Sequence, residues 1–191
     1  MIYSAGPMEA LFVSTGVVAL AEMGDKTQLL SLLLASRFKR PFPILLGILV
    51  ATVLNHACAG AVGMWVTHAV GESMMRIVLA VSFLAMAVWT LIPDKAPLAD
   101  TKTSRLGIFG TSLIAFFLIE MGDKTQIATV ALAAQYDAFY SVVAGTTLGM
   151  MLANVPAVLL GERATKVMPV RVLQRIAAAL FAILGVVTLF T

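Results

Sequence analysis

The sequence predicts an all-α integral membrane protein with six transmembrane helices, arranged as two three-helix repeats of inverted topology. The composition, six long apolar stretches and a duplicated polar motif support this fold class. Of the 191 residues, 60% are hydrophobic and only 12% are charged, and the mean hydropathy is +0.98. So few polar side chains could not cover a water-soluble globule of this size. The composition therefore excludes the ordinary soluble classes.

Six apolar stretches follow one another along the chain, and short polar segments separate them. They cover residues 8–36, 43–69, 74–92, 106–134, 139–160 and 172–190. Because a spanning helix needs about 20 apolar residues, each stretch is long enough to cross a bilayer. The Gly, Pro and charged residues between them mark helix ends. We therefore expect six spanning helices joined by short loops, with the lipid bilayer as their surroundings.

Basic residues are distributed unevenly between the two sides of the membrane that six spans define. The loops after the first, third and fifth helices hold Arg37, Lys39, Arg40, Lys95, Lys102, Arg105, Arg163, Lys166, Arg171 and Arg175, whereas only Arg76 falls on the other side. Membrane proteins carry their excess of Lys and Arg in cytoplasmic loops. This predicts that both termini lie outside the cytoplasm, and the charge pattern gives no reason to expect a nucleic-acid partner.

A seven-residue polar motif occurs twice without change. Glu-Met-Gly-Asp-Lys-Thr-Gln spans residues 22–28 and again 120–126, an offset of 98 residues, and Ser14 with Ser112 and Gly47 with Gly145 match at the same offset. A fixed offset of this kind indicates an internal repeat. Since each unit has three helices, an odd number, the second copy enters the membrane from the opposite face. We expect repeats over residues 1–95 and 96–191 that together form one transport domain.

Each motif places ionisable residues inside an apolar stretch, where a charge costs at least about 2.5 kcal/mol at mid-depth. On a continuous helix, Glu22, Asp25 and Lys26 share one face, because positions i, i+3 and i+4 point the same way. Their copies Glu120, Asp123 and Lys124 do the same. If the inverted repeat brings the two faces together, four carboxylates and two ammonium groups sum to minus two. That charge complements one divalent cation, or two protons when the cation leaves.

Oxygen atoms dominate the side chains around these charges, and oxygen ligands suit hard cations such as Mn²⁺, Ca²⁺ and Mg²⁺. Accessory oxygen donors of the motif are Thr27, Gln28, Thr125 and Gln126. Asn55 and Asn154, on the second helix of each repeat, are additional candidate ligands, and hydrogen bonding between helices is their alternative role. Gly24 and Gly122 either let the helix open, exposing carbonyl oxygens, or allow close packing.

Two points of interpretation stay open from the residues alone. Lys26 and Lys124 either neutralise the carboxylates when no cation is bound or extend their ammonium groups to the membrane interface. The acidic cluster could also be a structural salt-bridge network, with Glu22 paired to Lys26 one helical turn away and Asp25 paired across the interface. Intramembrane ionisable residues are nevertheless functional candidates by default, and an identical second copy strengthens that interpretation.

The duplicated Glu-x-Gly-Asp-Lys-Thr resembles the signature of the transmembrane protein 165 family, and the resemblance extends over essentially the whole chain. The resemblance implies a cation exchanger driven by protons, with Mn²⁺ or Ca²⁺ as substrate and with Glu22, Asp25, Glu120 and Asp123 as the acidic motif residues. The length is similar to that of short bacterial members that export manganese. The sequence lacks the extra N-terminal segment and the long acidic loop of the eukaryotic members, so the resemblance implies a bacterial inner-membrane protein.

From these observations we expect Mn²⁺ export in exchange for protons, by alternating access at an acidic site between the repeats. A Ca²⁺/proton antiporter is the first alternative, and a divalent-cation channel is the alternative from another class. An exporter of organic solutes is disfavoured because only 8% of the residues are aromatic. No nucleophile is placed beside a base, so we expect no enzyme. We expect no cofactor beyond the transported cation and protons. Because the internal duplication can build one site within a single chain, we also expect no obligate protein partner.

Overall fold

The computed structural model describes residues 6–70, 72–92, 107–161 and 169–190, and all regular structure in these ranges is α-helical. We number the helices of the described ranges α1 to α8 in chain order. Their bounds are α1 Pro7–Glu22, α2 Lys26–Phe38, α3 Pro41–Ala69, α4 Glu72–Thr90, α5 Gly107–Glu120, α6 Lys124–Tyr136, α7 Phe139–Leu160 and α8 Val170–Phe190. The prediction of an all-helical chain is thus confirmed.

Four of these helices are long and apolar enough to cross a membrane: α3, α4, α7 and α8. They correspond to the second, third, fifth and sixth apolar stretches of the sequence. Large apolar side chains such as Phe12, Trp65, Val88 and Phe190 are exposed on the outside of the protein. A soluble monomer rarely exposes so much apolar surface, whereas lipid chains would cover it favourably.

The first and fourth apolar stretches do not form continuous helices, which corrects the expectation that each motif lies on one helical face. α1 ends at Glu22 and α2 begins at Lys26, and α5 ends at Glu120 before α6 begins at Lys124. The break has a local cause, because Gly24 has φ +86° and Gly122 has φ +76°. A right-handed helix cannot continue through such a conformation, which glycine adopts without a steric cost.

The shorter helices after the motifs end at equivalent places. Lys39 ends α2 with φ 53°, and Asp137, 98 residues later, ends α6 with φ 49°. In each case the backbone N–H of that residue bonds to a carbonyl four residues earlier, on Ala35 or Ala133. The left-handed residue stops the helix, so that the next helix, α3 or α7, can start two residues later.

Helices from the two halves of the sequence pack closely against one another. α1 packs on α7, and α3 packs on α5, α6 and α7. A Cβ atom added to Gly47 in α3 would lie 2.7 Å from the Cβ of Ser112 in α5. Correspondingly, a Cβ added to Gly145 in α7 would lie 3.0 Å from the Cβ of Ser14 in α1. The two pairs that match in the sequence therefore make reciprocal contacts across the molecule.

The buried apolar side chains form two cores. One is centred on Phe83 and Phe181, where α4 meets α8, and it extends to α1, α6 and α7. The other surrounds Phe116 of α5 and includes Leu30 of α2 and Ile48 of α3. The polar motifs are located where α1, α2, α5 and α6 begin or end.

Several features predicted from the sequence fall outside the described residues. They are the boundary at 95/96 and the loop residues Lys95, Lys102, Arg105, Arg163 and Lys166.

Candidate metal centre

Each motif forms a tight turn between two helices, and the turn determines where its carboxylates lie. Glu22 ends α1, and Asp25 is the N-cap residue of α2 with extended backbone angles. The backbone N–H of Asp25 donates to the carbonyl of Glu22 at 3.0 Å, and Asp123 donates to Glu120 at the same distance. Both acidic residues of a motif are consequently held at helix ends, where unpaired backbone groups also accumulate.

The glutamine of each motif closes this turn from the following helix. The Oε1 atom of Gln28 accepts from the backbone N–H of Gly24 at 3.0 Å, and that of Gln126 accepts from Gly122 at 2.7 Å. The Nε2 group of Gln28 also donates to the carbonyl of Ala153 in α7 at 3.0 Å. These bonds position the turns, and cation binding by either amide oxygen stays a prediction.

Three carboxylates from the two motifs converge at the centre of the molecule. Glu22, Glu120 and Asp123 are buried, and one oxygen atom from each lies within 4.8 Å of the other two. Both carboxylate oxygens of Glu120 and the Oε1 of Glu22 have no hydrogen-bond partner among the described residues. Buried carboxylate oxygens without partners are costly, and a bound cation would satisfy them.

The motif lysines form ion pairs between the two copies. The Nζ of Lys124 lies 2.7 Å from Oδ1 of Asp25, and the Nζ of Lys26 lies 2.7 Å from Oδ1 of Asp123. The salt-bridge alternative paired Lys26 with Glu22 one turn away, which differs from the pair that the structure shows. It also paired Asp25 across the interface, and the contact of Asp25 with Lys124 agrees with this part. Lys26 does not pair with Glu22 because the helix is broken at Gly24, so that the two residues lie on different helices. Of the two roles considered for the lysines, neutralising carboxylates agrees with these positions.

The threonines of the two motifs have different partners. The hydroxyl of Thr27 donates to Oε2 of Glu22, which leaves that carboxylate with one partnered oxygen. The hydroxyl of Thr125 lies 3.5 Å from Oδ2 of Asp123, at the limit of a hydrogen bond. The acidic centre is therefore not symmetric, although the two motif sequences are identical.

The asparagines of the second helices form hydrogen bonds between helices. The Nδ2 group of Asn55 donates to the carbonyl of Phe117 in α5 at 3.1 Å. The Oδ1 atom of Asn154 accepts from the hydroxyl of Ser31 in α2 at 2.7 Å. Both contacts agree with the alternative role that the sequence left open, and coordination of a cation by either residue stays a prediction.

Two residues near the centre were not singled out from the sequence. Ser31 could have been found, because it lies one turn after the motif and its copy Thr129 is also a hydroxyl residue. Val170, at the start of α8, covers the first motif turn: a Cβ on Gly24 would lie 2.1 Å from its Cγ1 atom. No sequence signal identifies that contact, because it depends on how α8 packs.

Comparison with known proteins places the chain among cation transporters. The family model described as "Divalent cation/proton antiporter GDT1" matches residues 10–98 and 108–191. A protein of Vibrio cholerae serotype O1 named "Putative manganese exporter" is 50% identical over 184 residues, covering 96% of this chain and 92% of the relative. A GDT1-like protein of Synechocystis is 27% identical and covers 92% of this chain and 94% of its own length.

A more distant plant relative, "GDT1-like protein 3" of Oryza sativa subsp. indica, is 25% identical over 92% of this chain and 72% of its own length. No solved structure matches the chain significantly.

The matches and the four long apolar helices identify a multi-pass membrane protein that transports divalent cations. Membership of a transporter family is consistent with the expectation that the chain is not an enzyme. The resemblance drawn from the duplicated motif is confirmed, and the chain belongs to the GDT1 family of divalent cation/proton antiporters.

Proposed function

We propose that this protein exports Mn²⁺ from the cytoplasm in exchange for protons, at an acidic site between the two motif copies. The convergence of Glu22, Glu120 and Asp123, with three carboxylate oxygens that have no hydrogen-bond partner in the described part of the chain, is the observation that carries the proposal. Oxygen ligands suit Mn²⁺ as well as Ca²⁺. The name of the Vibrio relative favours Mn²⁺ as the substrate, and a Ca²⁺/proton exchange is the alternative.

The site residues follow from the motif. Glu22, Asp25, Glu120 and Asp123 supply the negative charge, and formally the two lysines reduce it to minus two. Protons that arrive from outside replace the cation by neutralising carboxylates that the cation had bound. Mn²⁺ and protons would then never occupy the site together, which is the condition for coupled exchange.

The architecture that we infer is two inverted repeats over residues 1–95 and 96–191. In this arrangement α1 with α2, and α5 with α6, would each form one discontinuous span, giving six spans with the four long helices. The reciprocal contacts of Gly47 with Ser112 and of Gly145 with Ser14 support it. Broken helices near the membrane centre are typical of ion-binding sites in transporters. Movement of one repeat against the other would give alternating access.

The location that we propose is the bacterial inner membrane, with both termini outside the cytoplasm. The loop residues Arg37, Lys39 and Arg40 would then lie on the cytoplasmic side, as the positive-inside rule requires. Cysteine labelling from outside intact cells, at single cysteines placed at Ser4 and at Arg40, would test this orientation. Labelling of the Arg40 position in preference to the Ser4 position would contradict it.

Transport should be tested with purified protein in liposomes that contain a pH-sensitive dye. Mn²⁺, Ca²⁺ and Mg²⁺ are added separately, and we expect Mn²⁺ to move protons in the opposite direction most strongly. Glu120→Gln should abolish this response, because it removes the carboxylate whose two oxygens both have no hydrogen-bond partner within the described ranges. Glu9→Gln is the matched control, since the same chemical change is made at an exposed position of α1.

Each other outcome has a defined meaning. A stronger response to Ca²⁺ would favour the Ca²⁺/proton antiporter. Cation flux without proton movement would indicate a channel and would overturn the exchange mechanism. Normal proton exchange by Glu120→Gln would show that the transported cation does not bind at this centre.

A further inference from the structure

The two ion pairs between the motif copies have the same length but differ in burial. Lys124 and Asp25 are both 0% exposed at their side chains, whereas Lys26 is 23% exposed and its partner Asp123 is 2% exposed. A fully buried lysine that loses its carboxylate has no water to replace it, and this is costly. A partly exposed lysine is not enclosed by other side chains, so its long, flexible side chain can move away from its partner. Only the Lys26 pair can therefore be exchanged easily.

The difference in burial arises from what covers the two motif turns. Val170 of α8 lies directly over Gly24, in the turn that holds Asp25. By contrast, no atom of the described residues lies within 4 Å of a Cβ placed on Gly122, in the turn that holds Asp123, and the adjacent Met121 is 55% exposed. Among the described residues, the first turn is therefore covered and the second is not.

Of the two aspartates in these ion pairs, Asp123, the partner of Lys26, is the one that also belongs to the set of three converging carboxylates. Asp123 lies with Glu22 and Glu120 in the set of oxygens that are mutually within 4.8 Å, and Asp25 is not a member of that set. A cation bound by this group would share Asp123 with the ammonium of Lys26. Two positive charges at one carboxylate repel each other, so the cation and Lys26 compete.

We propose that Lys26 is an internal competitor that determines selectivity for divalent cations, whereas Lys124 keeps Asp25 neutralised throughout. This rests on the function proposed above. The divalent cation binds to Glu22, Glu120 and Asp123 and displaces the ammonium of Lys26 from Asp123. The two identical motif copies then have different roles: the copy with Asp123 binds the cation, and the copy with Asp25 holds a permanent ion pair.

Charge explains why such a competitor would favour divalent ions. The pair of Lys124 with Asp25 sums to zero, and the three remaining carboxylates with Lys26 sum to minus two. A monovalent ion that displaces Lys26 brings one positive charge and removes one, so the site gains nothing electrostatically. A divalent ion adds one net positive charge to a site of low dielectric, where each charge counts strongly.

Mn²⁺ binding to purified protein in lipid nanodiscs should be measured by electron paramagnetic resonance, for wild type, Lys26→Gln and Lys124→Gln. We expect Lys26→Gln to bind Mn²⁺ at least about tenfold more tightly, since removing even about 1.4 kcal/mol of competition changes affinity by that factor. Sodium ions should compete with Mn²⁺ in Lys26→Gln and not in wild type. Lys124→Gln makes the same change in an identical motif and should tighten binding clearly less, because no cation displaces Lys124 from Asp25.

Amine acylation of the wild-type protein, followed by mass spectrometry, provides a measurement that does not depend on a variant folding. Mn²⁺ should increase the labelling of Lys26 and leave Lys124 unchanged, with the exposed Lys39 as the internal reference.

Unchanged or weaker binding by Lys26→Gln, equal tightening by Lys124→Gln, or labelling of Lys26 that does not rise would each overturn the proposal. Failure of the proposed function is distinguishable from this: neither wild type nor Lys26→Gln would then bind Mn²⁺, and the inference fails with it. If wild type binds Mn²⁺ and Lys26→Gln binds it no better, only the inference fails.

Discussion

The two copies of the Glu-Met-Gly-Asp-Lys-Thr-Gln motif have the same sequence and the same turn, but their surroundings differ. In both copies a glycine in the left-handed region breaks the helix, and a glutamine closes the turn. The first turn lies beneath Val170, whereas no described residue covers the second at Gly122. α8 packs on α1, whereas α4 has no comparable packing on α5 among the described residues. Local sequence therefore determines the turn, and the neighbouring helix determines its accessibility.

The largest expected difference between the copies is in the stability of the two ion pairs. Lys124→Gln removes the ammonium that is ion-paired with the fully buried Asp25, which lowers the free energy of unfolding by about 3–5 kcal/mol. Lys26→Gln should lower the free energy of unfolding clearly less, because the side chain of Lys26 is partly exposed. The Tm of each variant in detergent measures the difference. The double variant Lys124→Gln/Asp25→Asn should recover most of the loss, and equal losses in the two single variants would contradict the comparison.

Alanine at the two motif glycines should separate backbone strain from packing. Gly24→Ala and Gly122→Ala each force a side chain into the left-handed region, at a cost of about 1–2 kcal/mol. Gly24→Ala should lower the Tm more than Gly122→Ala, because its Cβ also collides with Val170. Adding Val170→Ala should reduce the decrease in Tm that Gly24→Ala causes, and it should not reduce the decrease that Gly122→Ala causes. Equal losses in the two single variants would show that Val170 does not cover the first turn.

The reciprocal helix contacts at Gly47 and Gly145 should respond alike to substitution by alanine. Gly47→Ala and Gly145→Ala both push a Cβ against a backbone carbonyl, of Phe109 at 2.8 Å and of Leu11 at 2.5 Å. Overpacking of this kind typically costs about 1–3 kcal/mol. We expect losses of similar size in thermal unfolding, since the two contacts are reciprocal. A loss in one variant alone would argue against equivalent packing of the halves.

The smallest expected effect compares two hydroxyl residues at equivalent positions. Ser31→Ala removes a hydrogen bond from α2 to Asn154 of α7 and should cost about 1 kcal/mol. Thr129→Val removes a hydroxyl that bonds only to the carbonyl of Thr125 in its own helix, among the contacts that the described residues show. Its Tm should change less. The reverse order would show that the Ser31 bond does not join the two helices.

Much of the fold followed from composition and periodicity, because apolar stretches of spanning length have few alternatives to a helix. The helices α3, α4, α7 and α8 correspond to four of the six predicted stretches. The stretches around the motifs were predicted as continuous helices, and this was wrong. The glycines permit a break without requiring it, since glycine also occurs within helices at a modest cost. The left-handed angles at Gly24 and Gly122 therefore needed the structure.

The candidate site was predictable in its residue types but not in its pairing. An identical motif in two apolar stretches identifies the acidic residues and lysines, because ionised groups there require partners. Which lysine meets which aspartate depends on how the helices on either side of each turn are directed. The predicted face of Glu22, Asp25 and Lys26 does not exist, and the lysines instead reach the aspartate of the other copy.

The sequence by itself determined that this protein is helical, embedded in a membrane and supplied with an acidic motif in two identical copies, since these properties depend on local composition and repetition. Only the tertiary structure decided which carboxylates converge, which lysine is fully buried and which motif turn is covered. The physical reason is that burial and ion pairing depend on residues far apart in the chain. The contact of Val170 with Gly24 arises where α8 packs, and no local property of either residue predicts it.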